Sequence, residues 1–247
     1  MSGLTESRTL LALGLGLTAA GANVLGGYFI VRRDWSPQYL KYFLALGAGF
    51  MLAASFLEVV PESIHLAGDA ALPLVLLGYL LVHLFEHTFA PHFHFGEETH
   101  VAELAPHHAG YTALLGLVIH TFFDGVAIAS GFLVSAWLGG VIFLAIALHK
   151  LPEGFTVASL MLASGQSRRV AMLSSVLLGA ATLAGVLLMN VLRAQVSYAL
   201  PVSAGVTVYV AASDLIPEVN REPGMRMGLV VFLGVAMMFL LHHLFRG

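Results

Sequence analysis

Two short segments hold the side chains best suited to chemistry, His120-Thr-Phe-Phe-Asp124-Gly125 and His149-Lys150-Leu-Pro152-Glu153-Gly154. In each, a carboxylate follows a histidine by four positions, which on a helix puts the two on one face about a turn apart. If the two faces meet, two imidazoles and two carboxylates converge. Imidazole suits zinc, copper, iron and nickel, and carboxylate tolerates harder ions, so the mixed set suits a first-row divalent cation held reversibly. The chain has no cysteine, which excludes disulfides and thiolate metal sites.

The likeness between the segments extends past the ligands. At an offset of 29, His120, Gly125, Ala129 and Ser130 fall on His149, Gly154, Ala158 and Ser159, and Asp124 falls on Glu153. Glu58-Val-Val-Pro61-Glu62 and Asp214-Leu-Ile-Pro217-Glu218 form a second matched pair. Pro152 lacks an N–H for the Leu148 carbonyl, so the helix is expected to open between His149 and Glu153.

The elements that position these residues must lie in a membrane. Of 247 residues, 58% are hydrophobic and only 10% charged, against about 25% charged in a soluble domain. That is too little charge to coat a soluble fold of this size. Strict alternation is absent, which excludes a β-barrel, and a net charge of −3 supplies no basic patch for nucleic acid. Apolar runs predict an all-α polytopic membrane protein, one transmembrane domain over 1–247. Its eight helices are expected near 7–31, 38–60, 71–90, 111–134, 137–162, 169–192, 199–217 and 225–245. The first run lacks a basic segment before it and a cleavage site after it, so it reads as a span rather than a signal peptide.

Basic residues orient the bundle. Arg32, Arg33, Lys41, Arg168, Arg169, Arg221 and Arg226 flank one set of connections, and Arg8, Arg193 and Arg246 the other, which puts both termini outside. Under that topology the matched segments run in opposite directions. Such inverted repeats around a midplane site mark secondary transporters. The long connection at 91–110 then faces the cytoplasm, with His92, His94, His100, His107 and His108 beside Glu97, Glu98 and Glu103. It reads either as a weak metal-binding tract or as a solvated linker.

Together, the His-x-x-x-Asp-Gly and His-Lys-Leu-Pro-Glu-Gly pair, the His-rich loop before it, the eight expected spans and the Asp-Leu-Ile-Pro-Glu segment resemble the ZIP family of divalent metal transporters. The resemblance covers nearly the whole chain. It implies import into the cytoplasm of zinc, with iron (Fe²⁺), manganese (Mn²⁺) or cadmium (Cd²⁺) as further substrates, and no enzymatic activity. Residue by residue, it gives His120, Asp124, His149 and Glu153 the metal positions, with Met51 as a weaker contact on the second span. It also implies that the first, fourth, fifth and sixth spans move as a block against the others. The expected location is the plasma membrane, or the inner membrane if the cell is bacterial, and a homodimer is compatible with it.

Departures from the family pattern fall beside the site. Family members with a two-metal centre carry Asn after the first His, a ligand after the second and Glu on the sixth span; this chain has Thr121, Lys150 and Thr182. An ammonium beside the primary ion repels a second cation, so one principal metal is expected. Glu58, Glu62, His65 and Asp214, near span ends, are weaker pathway candidates, and Glu62, His65 and Asp69 are placed to attract an ion outside. His83, Glu86 and His87 read as a cap or an exit station, and His242 and His243 as interface anchors.

Three other readings compete with this one. Buried His–carboxylate pairs can simply hold helices together, but one pair would serve and here the motif is duplicated. A haem-binding membrane cytochrome needs histidines facing each other without adjacent carboxylates. An intramembrane metalloprotease needs His-Glu-x-x-His, a pattern this chain lacks.

Overall fold

The structure is a computed structural model that describes residues 2–32, 37–89, 107–220 and 225–246, and every regular element among them is helical. Helix α1 is Ser2–Arg32. Helix α2, Pro37–Ala54, passes through a π-helical turn, Ser55–Val59, into α3, Val60–Ala67, and a 3₁₀ turn at Gly68–Ala70 leads to α4, Ala71–Phe89. Helices α5, His107–Val134, α6, Ala136–Ala163, and α7, Arg168–Val191, follow. After a 3₁₀ turn at Arg193–Gln195 come α8, Val196–Tyr209, a second π-helical turn, Val210–Leu215, α9, Ile216–Asn220, and α10, Met225–Arg246.

Seven helical segments among the described residues are long and apolar enough to cross a bilayer. One of them, Leu44–Phe85, has 42 residues. Straight, it would reach roughly 60 Å, about twice the hydrocarbon thickness. It is not straight. Gly68 has φ of 56°, a left-handed value that favours glycine, and stops α3 before α4 begins. Large apolar side chains such as Leu10, Leu84, Phe232 and Leu240 face outward, as a lipid-facing surface requires.

Helices α1, α5, α6 and α7 pack on one another, while α2 pairs with α10 and α4 with α8. Glycine makes these contacts close. A Cβ on Gly49 would lie 2.0 Å from the Val231 carbonyl oxygen, and one on Gly234 would lie 2.3 Å from that of Leu46. Gly205 against Val75 and Gly78 against Val202 repeat the pattern at 1.9 and 2.0 Å. All four positions of the α2–α10 contact map onto the α8–α4 contact by a shift of 156 residues. Gly125 against Thr182 and Gly185 against Phe122 join α5 to α7 in the same way that Gly154 against Asn23 and Gly26 against Leu151 join α6 to α1. The fold is thus built twice from one set of close backbone contacts, the small-residue packing that lipid-embedded helices use.

The π-helical turns keep the same register. Val60 N–H bonds to Ser55 O and Ile216 N–H to Ala211 O, each five residues back and each one residue before a proline. Pro61 and Pro217 cannot serve the carbonyls of Leu57 and Ser213, and a widened turn relieves the ring's clash with them.

Two expectations need correction. Helix α6 does not open at Pro152 but stays α-helical from Ala136 to Ala163. It is packed along its length by α1 and α2, and Gly47 of α2 comes against the Leu148 backbone, so the loss of one hydrogen bond leaves the helix intact. The helix expected from near 111 begins at His107, because a helix need not end where the apolar run ends; His107 and His108 therefore belong to α5, not to the loop.

Candidate metal centre

His120 is the fourteenth of the 28 residues of α5, and His149 is the fourteenth of the 28 of α6. The duplicated motif therefore sits at mid-helix twice, and the close α5–α6 packing brings the copies together. One ligand atom from each of His120, Asp124, His149 and Glu153 lies within 4.8 Å of the others. No other cluster of three or more histidines and carboxylates converges in this way among the described residues.

Asp124 is the hub. Its Oδ2 is 3.2 Å from His120 Nε2, 3.5 Å from His149 Nε2 and 2.6 Å from Lys150 Nζ. Lys150 Nζ also donates to Glu153 Oε2 at 2.6 Å, and Thr121 Oγ1 donates to Glu153 Oε1 at the same distance. All six of these side chains are buried.

His149 Nδ1 lies 3.1 Å from the Ala145 carbonyl, which can only accept, so Nδ1 is the donor of that contact and Nε2 is the ring nitrogen turned toward Asp124. Both Nε2 atoms face Asp124 Oδ2, at 3.2 and 3.5 Å, without a well-aligned hydrogen bond. The rings are 5.7 Å apart, centroid to centroid.

The remaining sequence candidates make none of the hydrogen bonds and ion pairs of this cluster that are described above. Met51 is fully buried in an apolar group with Leu117 and Ala145, a turn beyond Gly47, whose added Cβ would lie 3.6 Å from His149 Cβ. Thr182 is buried and donates to Leu178 O. Glu62 and His65 form a loose 3.9 Å pair on α3, the histidine largely in solvent. Glu58 and Asp214 sit in the two π-helical turns and are buried. Glu58 Oε1 pairs with His242 Nδ1 at 2.7 Å, so this carboxylate faces peripheral α10. His242, expected as an interface anchor, also partners a buried carboxylate; its match with Glu58 shows only once α2 and α10 are known to be neighbours. His83 and His87 are exposed on α4 with rings 4.1 Å apart. His92, His94 and His100 lie outside the described residues.

Sequence reasoning also passed over Asn23. It is fully buried on α1, its backbone abuts Gly154, and neither side-chain atom has a hydrogen-bond partner. An isolated Asn in an apolar helix carries no spacing signal.

The chain is an all-helical polytopic membrane protein with a buried His/carboxylate cluster, of a composition that could hold a metal ion, halfway along two adjacent helices. Residues 97–242 match the model of the ZIP zinc transporter family, and the chain belongs to that family. It is 32% identical over 148 residues to the zinc transporter ZIP13 homolog of Drosophila melanogaster, covering 56% of this chain and 42% of the relative. It is 30% identical over 151 residues to zinc transporter SLC39A7 of Rattus norvegicus, covering 55% and 32%. Zinc transporter ZIP9-B of Xenopus laevis is 27% identical over 241 residues, covering 76% of this chain and 78% of the relative. The chain thus spans less than half the length of the first two.

Proposed function

We propose that this protein carries divalent metal ions, zinc foremost, across a membrane into the cytoplasm by alternating access. The observation that carries the reading is the convergence of His120, Asp124, His149 and Glu153 at mid-helix, with both imidazole Nε2 atoms beside Asp124 Oδ2. Two imidazoles and two carboxylates replace the water shell of a tetrahedral ion. Membership of a zinc transporter family supports zinc as the cargo, and the carboxylates extend the reading to Fe²⁺, Mn²⁺ and Cd²⁺.

In this reading the two arms of the 42-residue segment, divided at Gly68, are separate crossings, which gives eight spans with both termini outside. The duplicated contacts support inverted repeats. The set α1, α5, α6 and α7 then carries the site past the α2–α10 and α4–α8 pairs, with Met51 as a passing contact from α2 and the His-rich loop receiving the ion on the cytoplasmic side. A haem between His120 and His149 is disfavoured, because Asp124 Oδ2 lies within 3.5 Å of both Nε2 atoms.

Zinc uptake by proteoliposomes tests the proposal. His120→Ala and Glu153→Ala are expected to abolish uptake while the protein remains monodisperse; full uptake by both variants would sink it.

A further inference from the structure

Lys150 is the feature that the transport reading leaves unused. Its ammonium is fully buried and lies 2.6 Å from Asp124 and 2.6 Å from Glu153, bridging the two carboxylates that a metal would bridge. We propose that Lys150 is the carrier's built-in counter-ion, a tethered cation that lets the unloaded site return through the membrane interior without a second transported cation. The proposal rests on the transport reading and adds to it how the cycle closes.

The argument is one of charge. Asp124, Glu153 and Lys150 together leave the empty site one unit negative, and a divalent ion turns it one unit positive. The cost of burying net charge grows with its square, so the two states are matched. Without the ammonium the empty site would be two units negative and the loaded site neutral. The loaded carrier would then cross easily and the empty one would be held back.

Geometry favours the ammonium staying close. Lys150 precedes Glu153 by three positions on α6, so the pair forms within one helix and travels with it. Thr121 Oγ1 holds the other oxygen of Glu153, which leaves Oε2 to the lysine. Asp124 Oδ2 faces Lys150 and both imidazoles at once, so an arriving ion takes over an oxygen that the ammonium already compensates.

The test separates net uptake, which needs an empty return, from zinc–zinc exchange, which does not. In voltage-clamped proteoliposomes holding the full chain, Lys150→Met is expected to lose about tenfold or more of net zinc uptake yet keep exchange within about threefold of the parent, differences well above assay scatter. Lys150→Arg, which keeps a cation, is expected to retain both. Unchanged net uptake in monodisperse Lys150→Met, or an equal loss of both modes, overturns the proposal. A second readout needs no variant: with a pH dye inside the vesicles, the parent protein is expected to import zinc without matching proton release, and obligatory release overturns the proposal. Retention of both transport modes by His120→Ala and Glu153→Ala would instead overturn the transport reading itself.

Discussion

The α5–α6 pair and two duplicated helical hairpins, α2 through α4 and α8 through α10, handle buried charge in opposite ways. At the α5–α6 crossing, six polar side chains from two continuous helices converge, with both imidazole Nε2 atoms beside Asp124 Oδ2. In the hairpins, Glu58 and Asp214 are held one apiece in π-helical turns, and Glu58 is engaged by a histidine on the outermost helix. Both regions arose from repetition, yet only one repeat brings its copies face to face. The 29-residue repeat puts its ligands on adjacent helices at equal depth; the 156-residue repeat puts its carboxylates in separate helix pairs. Burial alone therefore does not mark the site, whereas burial with convergence does.

The contrast can be broken at its foundation. Gly125→Val and Gly154→Val would drive side-chain atoms into the backbone of Thr182 and Asn23, each 1.9 Å from the added Cβ. Neither backbone can yield, so each change should cost more than about 3 kcal/mol, the upper range for overpacking. Loss of monodisperse protein in size-exclusion chromatography is the expected outcome.

A smaller effect is expected in the hairpins. His242→Leu removes the partner of buried Glu58, but the histidine side chain is 32% exposed, so water recovers part of the loss. We expect a lowered melting temperature equivalent to about 1–2 kcal/mol, below the cost of breaking a fully buried pair, with zinc affinity unchanged. A loss of zinc affinity as large as that of a site variant would erase the distinction between the regions.

Within the site, Thr121→Val removes the donor that orients Glu153 while leaving all four ligands in place. Outer partners of metal ligands are worth 10–100-fold in affinity, so about a tenfold rise in the zinc concentration for half-maximal uptake is expected. Smallest of all, His65→Ala, on an exposed turn with a 3.9 Å contact to Glu62, should change uptake by less than about twofold, as surface ion pairs contribute little.

The four residues that converge were legible in the sequence as a group, because helical spacing and internal repetition both marked them. His120 and Asp124 reveal themselves by their separation, and His149 and Glu153 by repeating it. Convergence was less legible. Nothing in the order of residues says that Lys150 bends toward both carboxylates or that Glu58 turns to α10, since these depend on which helices become neighbours. Proline misled at Pro152, where neighbouring helices hold α6 together, and was informative at Pro61 and Pro217, where the helix widens ahead of the ring. The 156-residue repeat extends beyond the acidic segments to Gly49, Gly78, Gly205 and Gly234, but it gains meaning only when those glycines are seen to touch.

The central claim is that His120, Asp124, His149 and Glu153 hold the transported ion. X-ray absorption at the zinc edge, on the full chain loaded with one equivalent of zinc, tests it most directly. The account predicts a shell of light nitrogen and oxygen atoms at about 2.0–2.1 Å, the range for imidazole and carboxylate, with scattering from two imidazole rings that falls to one in His149→Ala. A shell of oxygen alone, or one unchanged by that substitution, would contradict it.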